Sequence, residues 1–466
     1  MTHFGTETHP LRVAIIGSGP AACYAADHLF KQPDLVVEVD VFDRLPTPYG
    51  LVRAGVAPDH QKIKSVTKAF DLVAANPRFR FFGNVEYGIH ITLDDLRRHY
   101  HQMLFATGAQ SDRRMDIPGE DLRGSHPATA FVAWYNGHPD YRDYQFDLQQ
   151  ERVAVVGVGN VAVDCARMLS LSPDELAVTD IADHALDALR HSRIKDVYLL
   201  GRRGPAQAAF TPPEIKELGD LADADVIISP EEVELDPISK AAIESSNDKA
   251  TRRKVEILQE YARRTPAGKK RRLRLRFLVS PVELIGDADG HVAGLRLVKN
   301  LLTTTEAGSI VPQATDQYEE VRMGLVFRSV GYRGVALPGV PFNERWGVIL
   351  NQKGRVLDAD TQQPLTGLYT SGWVKRGPSG VIGTNKADSV ETVTCMVEDF
   401  TNGVLLHCAH PEASSVEQLV RERQPRYVAY GDWLHLNRVE VTRGQAQGRP
   451  RVKFTRVDDM LAALGR

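Results

Sequence analysis

Two short stretches, Gly17-Ser18-Gly19-Pro20-Ala21-Ala22 and Gly157-Val158-Gly159-Asn160-Val161-Ala162, share a G-x-G-x-x-A spacing and lie 140 residues apart. In such a turn the first glycine permits the tight bend and the second lets a pyrophosphate approach the backbone. The third small residue lets the following helix sit close to its strand, with the helix N-terminus facing the phosphates. The chemistry implied is dinucleotide binding, twice in one chain. A third stretch, VYLLGRRGPAQAAF at 197–210, leaves an aliphatic run through Gly201 straight into Arg202 and Arg203. An acid in that slot favours an unmodified ribose 2′-hydroxyl, whereas arginine accommodates a 2′-phosphate. Arg202 and Arg203 therefore read as selectors of NADP. Asp43, closing the run VVEVDVFD, reads as the acid that holds the ribose of the first dinucleotide.

The elements that must carry these turns are legible. Residues 12–16 read as a buried parallel strand, apolar from Val13 onward, and a helix should open at about Ala21. ERVAVVGVGNVAVDCARMLS repeats the same grammar. Between the two, MLFATGAQSDRRMDIPGED runs from strand-like residues into Thr107-Gly108 and Pro118-Gly119, and LVFRSVGYRGVALPG makes a matching exit through Gly331 and Gly334. Two such crossings predict that the second nucleotide unit is inserted into the first. The expected boundaries are 1–110 and 327–466 for the outer domain, which ends in a helical region, and 111–326 for the inserted one. The fold class is α/β, with two Rossmann-like domains.

Two sites suit one resident flavin, FAD, and one exchangeable nicotinamide. The flavin is assigned to the first, because the chain returns to complete that domain. The return carries Ser371-Gly372-Trp373 and Gly380-Val381-Ile382-Gly383-Thr384, followed by a helical pattern. A helix N-terminus aimed at the flavin would stabilise negative charge on its reduced ring.

Composition narrows the class. The 466 residues are 42% hydrophobic and 25% charged, with no apolar run long enough for a membrane span and no signal-peptide pattern at the N-terminus, so a cytoplasmic protein is expected. Cys23, Cys165, Cys395 and Cys408 lack C-x-x-C or C-x-x-x-x-C spacing, which argues against a dithiol centre, a zinc site or an iron–sulfur ligand set. Lys249–Arg276 holds twelve Lys or Arg against two Glu in a chain of net charge −3. Such asymmetry suits an acidic protein partner. Tyr261 is the one aromatic before the final strand-like residues, so the interleaved rings of a nucleic-acid platform are missing.

The chain resembles the adrenodoxin reductase family and its bacterial ferredoxin–NADP reductases. The resemblance rests on IIGSGPAA, LPTPYGLVRAGVAPDHQKIK, RFRFFGNVEYG, GNVAVD, GRRGPAQAAFT and SGWVKRGPSGVIGTNK, which span nearly the whole chain. It implies a glutathione reductase-like arrangement with FAD in the outer domain and NADPH in the inserted one. Single electrons would pass to a ferredoxin-type iron–sulfur protein and onward, for example to a cytochrome P450. By position, FAD contacts fall on Ala21 or Ala22, Asp43, Leu51, Tyr87, Trp373 and Gly380, Val381 and Ile382. NADP contacts fall on Arg113, Val158, Gly159, Asn160, Val161, Arg202, Arg203, Glu214 and Gly380. The family often has glutamate in place of Asp43, and Tyr87 replaces smaller β-branched residues, so its contact is expected through backbone. His60 and Glu217 match positions near the nicotinamide–flavin contact, where they would modulate charge or handle a proton. Ferredoxin docking is expected on a basic face including Arg252, Arg253, Arg263 and Arg264, and the family resemblance favours a monomer. A disulfide reductase is disfavoured by the missing cysteine pair; a flavin monooxygenase with another acceptor is the remaining enzymatic alternative.

Overall fold

The computed structural model describes residues 4–466, which divide into two compact units. Residues 4–111 and 331–466 form one, and Asp112–Val330 the other. In the first, Leu11–Ile16 is buried at every position and pairs in parallel with Val37–Asp43 on one side and Gln102–Phe105 on the other. Phe79–Gly83 extends the sheet beyond Val37–Asp43, and Pro364–Thr370 extends it beyond Gln102–Phe105, again in parallel. Two short antiparallel strands, Arg355–Leu357 and Asn351–Gln352, finish that edge.

A strand covered on both faces has no polar alternation, which is why 13–16 is apolar throughout, the buried Arg12 before it being paired with Asp40. Val13 and Ile15 pack under the Pro20–Phe30 helix, against Ala21, Ala22, Ala25 and Ala26. The alanines let the helix lie close. Ala14 and Ile16 face the other way, into Phe42, Phe82, Tyr100 and Phe105.

The second unit has a six-stranded parallel sheet in the order Ser125–Pro127, Leu325–Arg328, Arg152–Val156, Asp196–Leu200, Arg271–Arg276, Ala224–Ile228. A separate antiparallel sheet, Val279–Gly286, Val292–Thr304 and Ile310–Arg322, packs its apolar side with Ala154, Val156 and Leu200. Leu325–Arg328 is thus a strand of this unit, and the boundary expected at 326 falls inside it. The crossing back comes after Val330. Among the described residues no helix is long and apolar enough to cross a membrane.

Within the first unit a charge cluster crosses adjacent strands. Asp40, 1% exposed, accepts hydrogen bonds from Arg12 Nη2 at 2.6 Å, Arg80 Nε at 2.7 Å, Arg80 Nη2 at 2.6 Å and the Tyr100 hydroxyl at 2.6 Å. Removing one partner of a buried pair leaves the others uncompensated. Asp40→Ala should therefore destabilise this unit by about 3–5 kcal/mol in chemical denaturation. Loss of the exposed Arg97–Asp94 pair in Arg97→Ala should cost under about 1 kcal/mol.

Candidate dinucleotide sites

Each parallel sheet reverses its strand order beside one strand, and a glycine turn leaves at that point. Gly17 has φ +98°, and a Cβ there would lie 2.6 Å from Ala106 O. Gly157 has φ +132°, and its Cβ would lie 2.2 Å from Ser329 O. The surrounding bonds match: Gly17 N donates to Phe42 O at 2.8 Å and Gly157 N to Leu200 O at 2.9 Å. Ala106 N donates to Ile16 O, and Ser329 N to Val156 O, each at 2.8 Å. The two turns are the same device built twice.

Gly19 and Gly159 both stand at the helix N-cap with no atom within 4 Å of a Cβ position. Among the described residues, the amides of Ala21 and Ala22, and those of Gly159, Asn160 and Val161, find no acceptor. These open cradles of free N–H groups fit a pyrophosphate.

In the first site the Asp43 carboxylate accepts from Ser18 N at 3.0 Å, Ser18 Oγ at 2.5 Å and Leu45 N at 2.9 Å. It closes the glycine turn onto the strand end. Burial pushes its carboxyl up, against those hydrogen bonds. Leu51 begins a short helix after Gly50, 40% exposed. Tyr87 turns its ring into the core, 5.6 Å from Phe105, and donates its hydroxyl to Pro338 O. Trp373 starts another short helix, its Nε1 bonded to Ser379 O and its ring 5.5 Å from Tyr332. Gly372 needs its glycine: φ is +78°, and a Cβ would meet Ala21 Cβ at 2.7 Å. The turn of exposed Gly380 and Val381 and half-buried Ile382 precedes the Thr384–Thr401 helix, its amides without an acceptor among the described residues. Sequence reasoning missed Asp388, which accepts from Gly372 N and from Ser371 Oγ and pairs with Lys375 at 3.1 Å. It ties the returning segment to that helix.

In the second site Gly201 fills the slot equivalent to Asp43, because Phe42 and Leu200 occupy matching registers. A Cβ there would meet Val158 Cγ1 at 2.9 Å, so an acid would have to displace that side chain. Arg202 is exposed and Arg203 half-buried on the turn that follows. Burial and the neighbouring Arg202 both lower the pKa of Arg203. The second half of GRRGPAQAAFT clasps the glycine turn: Ala209 N and Phe210 N donate to Val158 O, and Thr211 N donates to Asn160 Oδ1 at 2.9 Å. Asn160 therefore uses its side chain inside the protein and keeps its amide for a ligand. Buried Asn300 donates to Arg202 O and to Ser280 Oγ, each at 2.8 Å. Nothing in the local sequence announces that distant support.

Glu214 and Glu217 lie on the Pro212–Glu217 helix. Glu214 keeps Oε2 buried with no hydrogen-bond partner. Exposed Glu217 lies 3.7 Å from Arg167 Nε, and Arg167 also pairs with Asp164 at 2.7 Å. Burial brings the Arg167 pKa down to about 10, against the pull of Glu217 and Glu214. Arg113 is half-buried in the same unit. His60 belongs to the other unit, half-buried at the N-cap of Gln61–Lys64, with its amide on Ala57 O.

Residues 11–199 match the family model "Pyridine nucleotide-disulphide oxidoreductase". The chain is 43% identical to the NADPH-ferredoxin reductase FprA of Mycobacterium leprae, covering 97% of this chain and 98% of that one. It is 40% identical to the human mitochondrial NADPH:adrenodoxin oxidoreductase, covering 99% and 94%. A solved structure of Mycobacterium tuberculosis FprA in complex with NADPH superposes with a TM-score of 0.92 at 43% identity, over 98% of this chain and all of that one. The chain belongs to the NADPH–ferredoxin and adrenodoxin reductase family. FAD and NADP are the cofactors of this family, and two dinucleotide cradles of one build accord with that.

A loop through Tyr49 and Gly50 covers the first glycine turn. Tyr49 has φ +80°, strained for a side chain of that size. Its amide donates to Ser18 O at 3.0 Å, and Gly50 packs so closely on Gly19 that a Cβ would sit 3.2 Å from Gly19 Cα. What holds the strained residue is Asp71, on the Thr67–Ala74 helix. Its Oδ1 accepts from the Tyr49 hydroxyl and, at 2.8 Å, from the hydroxyl of Tyr430, which opens the Tyr430–Gln445 helix. The two hydroxyls are 3.0 Å apart. Tyr430→Phe and Asp71→Ala should loosen the loop and speed FAD release roughly 5- to 10-fold, about one hydrogen bond's worth. Flavin fluorescence after dilution measures it; unchanged release would mean that the turn holds itself.

Proposed function

We propose that the protein is an FAD-dependent NADPH–ferredoxin reductase. One observation carries this: two identically built dinucleotide cradles share a chain, and only one is followed by a pair of arginines without carboxylate partners. FAD belongs to the cradle of residues 17–22, with Asp43, Leu51, Tyr87, Trp373 and the Gly380–Ile382 turn around it. NADPH belongs to the cradle of residues 157–162, its 2′-phosphate on Arg202 and Arg203, with Arg113 and Glu214 further along the nucleotide. When bound, FAD accepts a hydride from NADPH and releases the two electrons singly.

What the chain itself contributes is binding and orientation. Free amides at the helix N-termini hold the two pyrophosphates. The unpartnered Glu214 oxygen offers an acceptor to a nucleotide N–H or hydroxyl group. No side chain need act as a nucleophile. His60 in the one unit and Glu217 in the other are each assigned a charge-modulating or proton-handling role, with Glu217 near Arg167.

The acceptor is an acidic iron–sulfur protein, docking on exposed Arg252, Arg253, Arg263 and Arg264. The local charge is smaller than the sequence suggests. Arg272 and Arg274 pair with Asp196, Arg276 with Glu232 and Glu319, Lys270 with Asp223, Arg253 with Glu256 and Arg264 with Glu260. The docking residues therefore steer an acidic partner without a large field behind them. The protein works as a cytoplasmic monomer.

Two measurements test the proposal. Purified protein should be yellow, and anaerobic NADPH should bleach it. Colourless protein that cannot be reconstituted with FAD ends the reading. Arg202→Ala or Arg203→Ala should lower kcat/KM for NADPH roughly 10- to 100-fold with ferricyanide as acceptor and leave NADH nearly unchanged.

Charge reversal at Arg252, Arg253, Arg263 and Arg264 should raise KM for ferredoxin several-fold and spare ferricyanide reduction. Turnover with ferredoxin should also weaken with salt, as the Debye length falls to about 8 Å near physiological ionic strength. Equal loss with both acceptors would place the damage in the fold.

A further inference from the structure

Lys254 stands apart from its neighbours on the Lys249–Ala262 helix. Arg252, Arg253, Arg263 and Arg264 face solvent, whereas Lys254 runs inward and is 6% exposed. Its Nζ donates to Ala208 O at 2.5 Å and lies 5.8 Å from the Phe210 ring centroid. Arg203 Nη2 donates to Gln207 O at 3.3 Å. Successive carbonyls of one turn thus hold an ammonium and a guanidinium side by side, and Arg202 is the next residue. No carboxylate of the described residues lies within ion-pair distance of the three.

Such a grouping costs the protein free energy when nothing anionic is bound. Burial and Arg203 both lower the Lys254 pKa, with Asp248 pulling the other way from longer range. A solvated run of lysines would have carried the same charge without that cost. Half-buried like charges lacking a counter-ion are the expected signature of an anionic ligand site.

We propose that Lys254 is a specificity-determining residue for NADPH, the third cation around its 2′-phosphate. The inference rests on the assignment of NADPH to this site and deepens it. A phosphate monoester carries about −1.5 to −2 charges at neutral pH, so two guanidinium groups alone leave it little surplus of positive charge. The added ammonium favours the 2′-phosphate over the 2′-hydroxyl of NADH, on which it has no charge to act.

The experiment uses the holoenzyme as wild type, Lys254→Met and Lys254→Arg. The measurements are kcat/KM for NADPH and NADH with ferricyanide, and the Kd of 2′,5′-ADP and of 5′-AMP. Methionine keeps the buried methylenes and removes the charge. Lys254→Met should weaken NADPH and 2′,5′-ADP roughly 10-fold while NADH and 5′-AMP stay within about twofold. Lys254→Arg should recover part of the loss. Equal losses for both nucleotides would reduce Lys254 to an anchor of the Ala208 carbonyl and overturn the proposal, as would no change at all. A wild-type enzyme that does not prefer NADPH would instead sink the nucleotide assignment, before any variant is compared.

Discussion

Two absent methylene positions govern this molecule. At Gly17 and at Gly157 the chain leaving a central strand passes so close to a neighbouring carbonyl that a Cβ would sit 2.6 Å from Ala106 O or 2.2 Å from Ser329 O. Each close approach happens where strand order reverses, the place at which an open parallel sheet leaves a crevice. The turn can then aim a helix N-terminus into that crevice. From this follow the free amides, the small residues at Ala21, Ala22 and Ala162, and the loops that must cover what the turns expose.

Around that shared device the two sites diverge through charge and clasping. The first closes its turn with a carboxylate, Asp43 on Ser18, and covers it with a strained loop whose tyrosine is held by Asp71. The second packs Val158 where a carboxylate would stand and lets the strand run on into arginine. Its turn is held by backbone amides of Ala209 and Phe210. GRRGPAQAAFT thus combines two tasks in one segment: cations at its start, and at its end the bonds that keep the glycine turn in place.

Much of this was legible in the residues. Apolar runs ending in G-x-G-x-x-A located both strands, both turns and both helices, because those features depend on near neighbours in sequence. The insertion was also legible, since glycine-rich crossings bracket the second unit, although the tail of a short buried strand, Leu325–Arg328, could not be told from the start of the return. What stayed hidden depends on pairs far apart in the chain. Asn300 supports Arg202 across 98 residues, and Tyr430 reaches Asp71 across 359. The free charge of the basic run stayed hidden for the same reason: a count of charges along the sequence cannot show that Asp196, Glu232 and Glu319 lie beside it. Nor could it show that one of its lysines points inward.

The insertion also sets a timetable for synthesis. Everything the inner unit needs lies in one continuous stretch, Asp112–Val330, and it can be complete as soon as that stretch emerges. The outer sheet cannot, because Gln102–Phe105, paired on one side with Leu11–Ile16, finds its second parallel neighbour only in Pro364–Thr370. At about 5–20 residues per second, the intervening chain of nearly 260 residues keeps that buried strand with one open edge for roughly 13–50 s. An unpaired apolar edge is where chains stick to one another. For the length of one ribosomal pass, then, the outer sheet is the part of this protein most in need of protection by a chaperone.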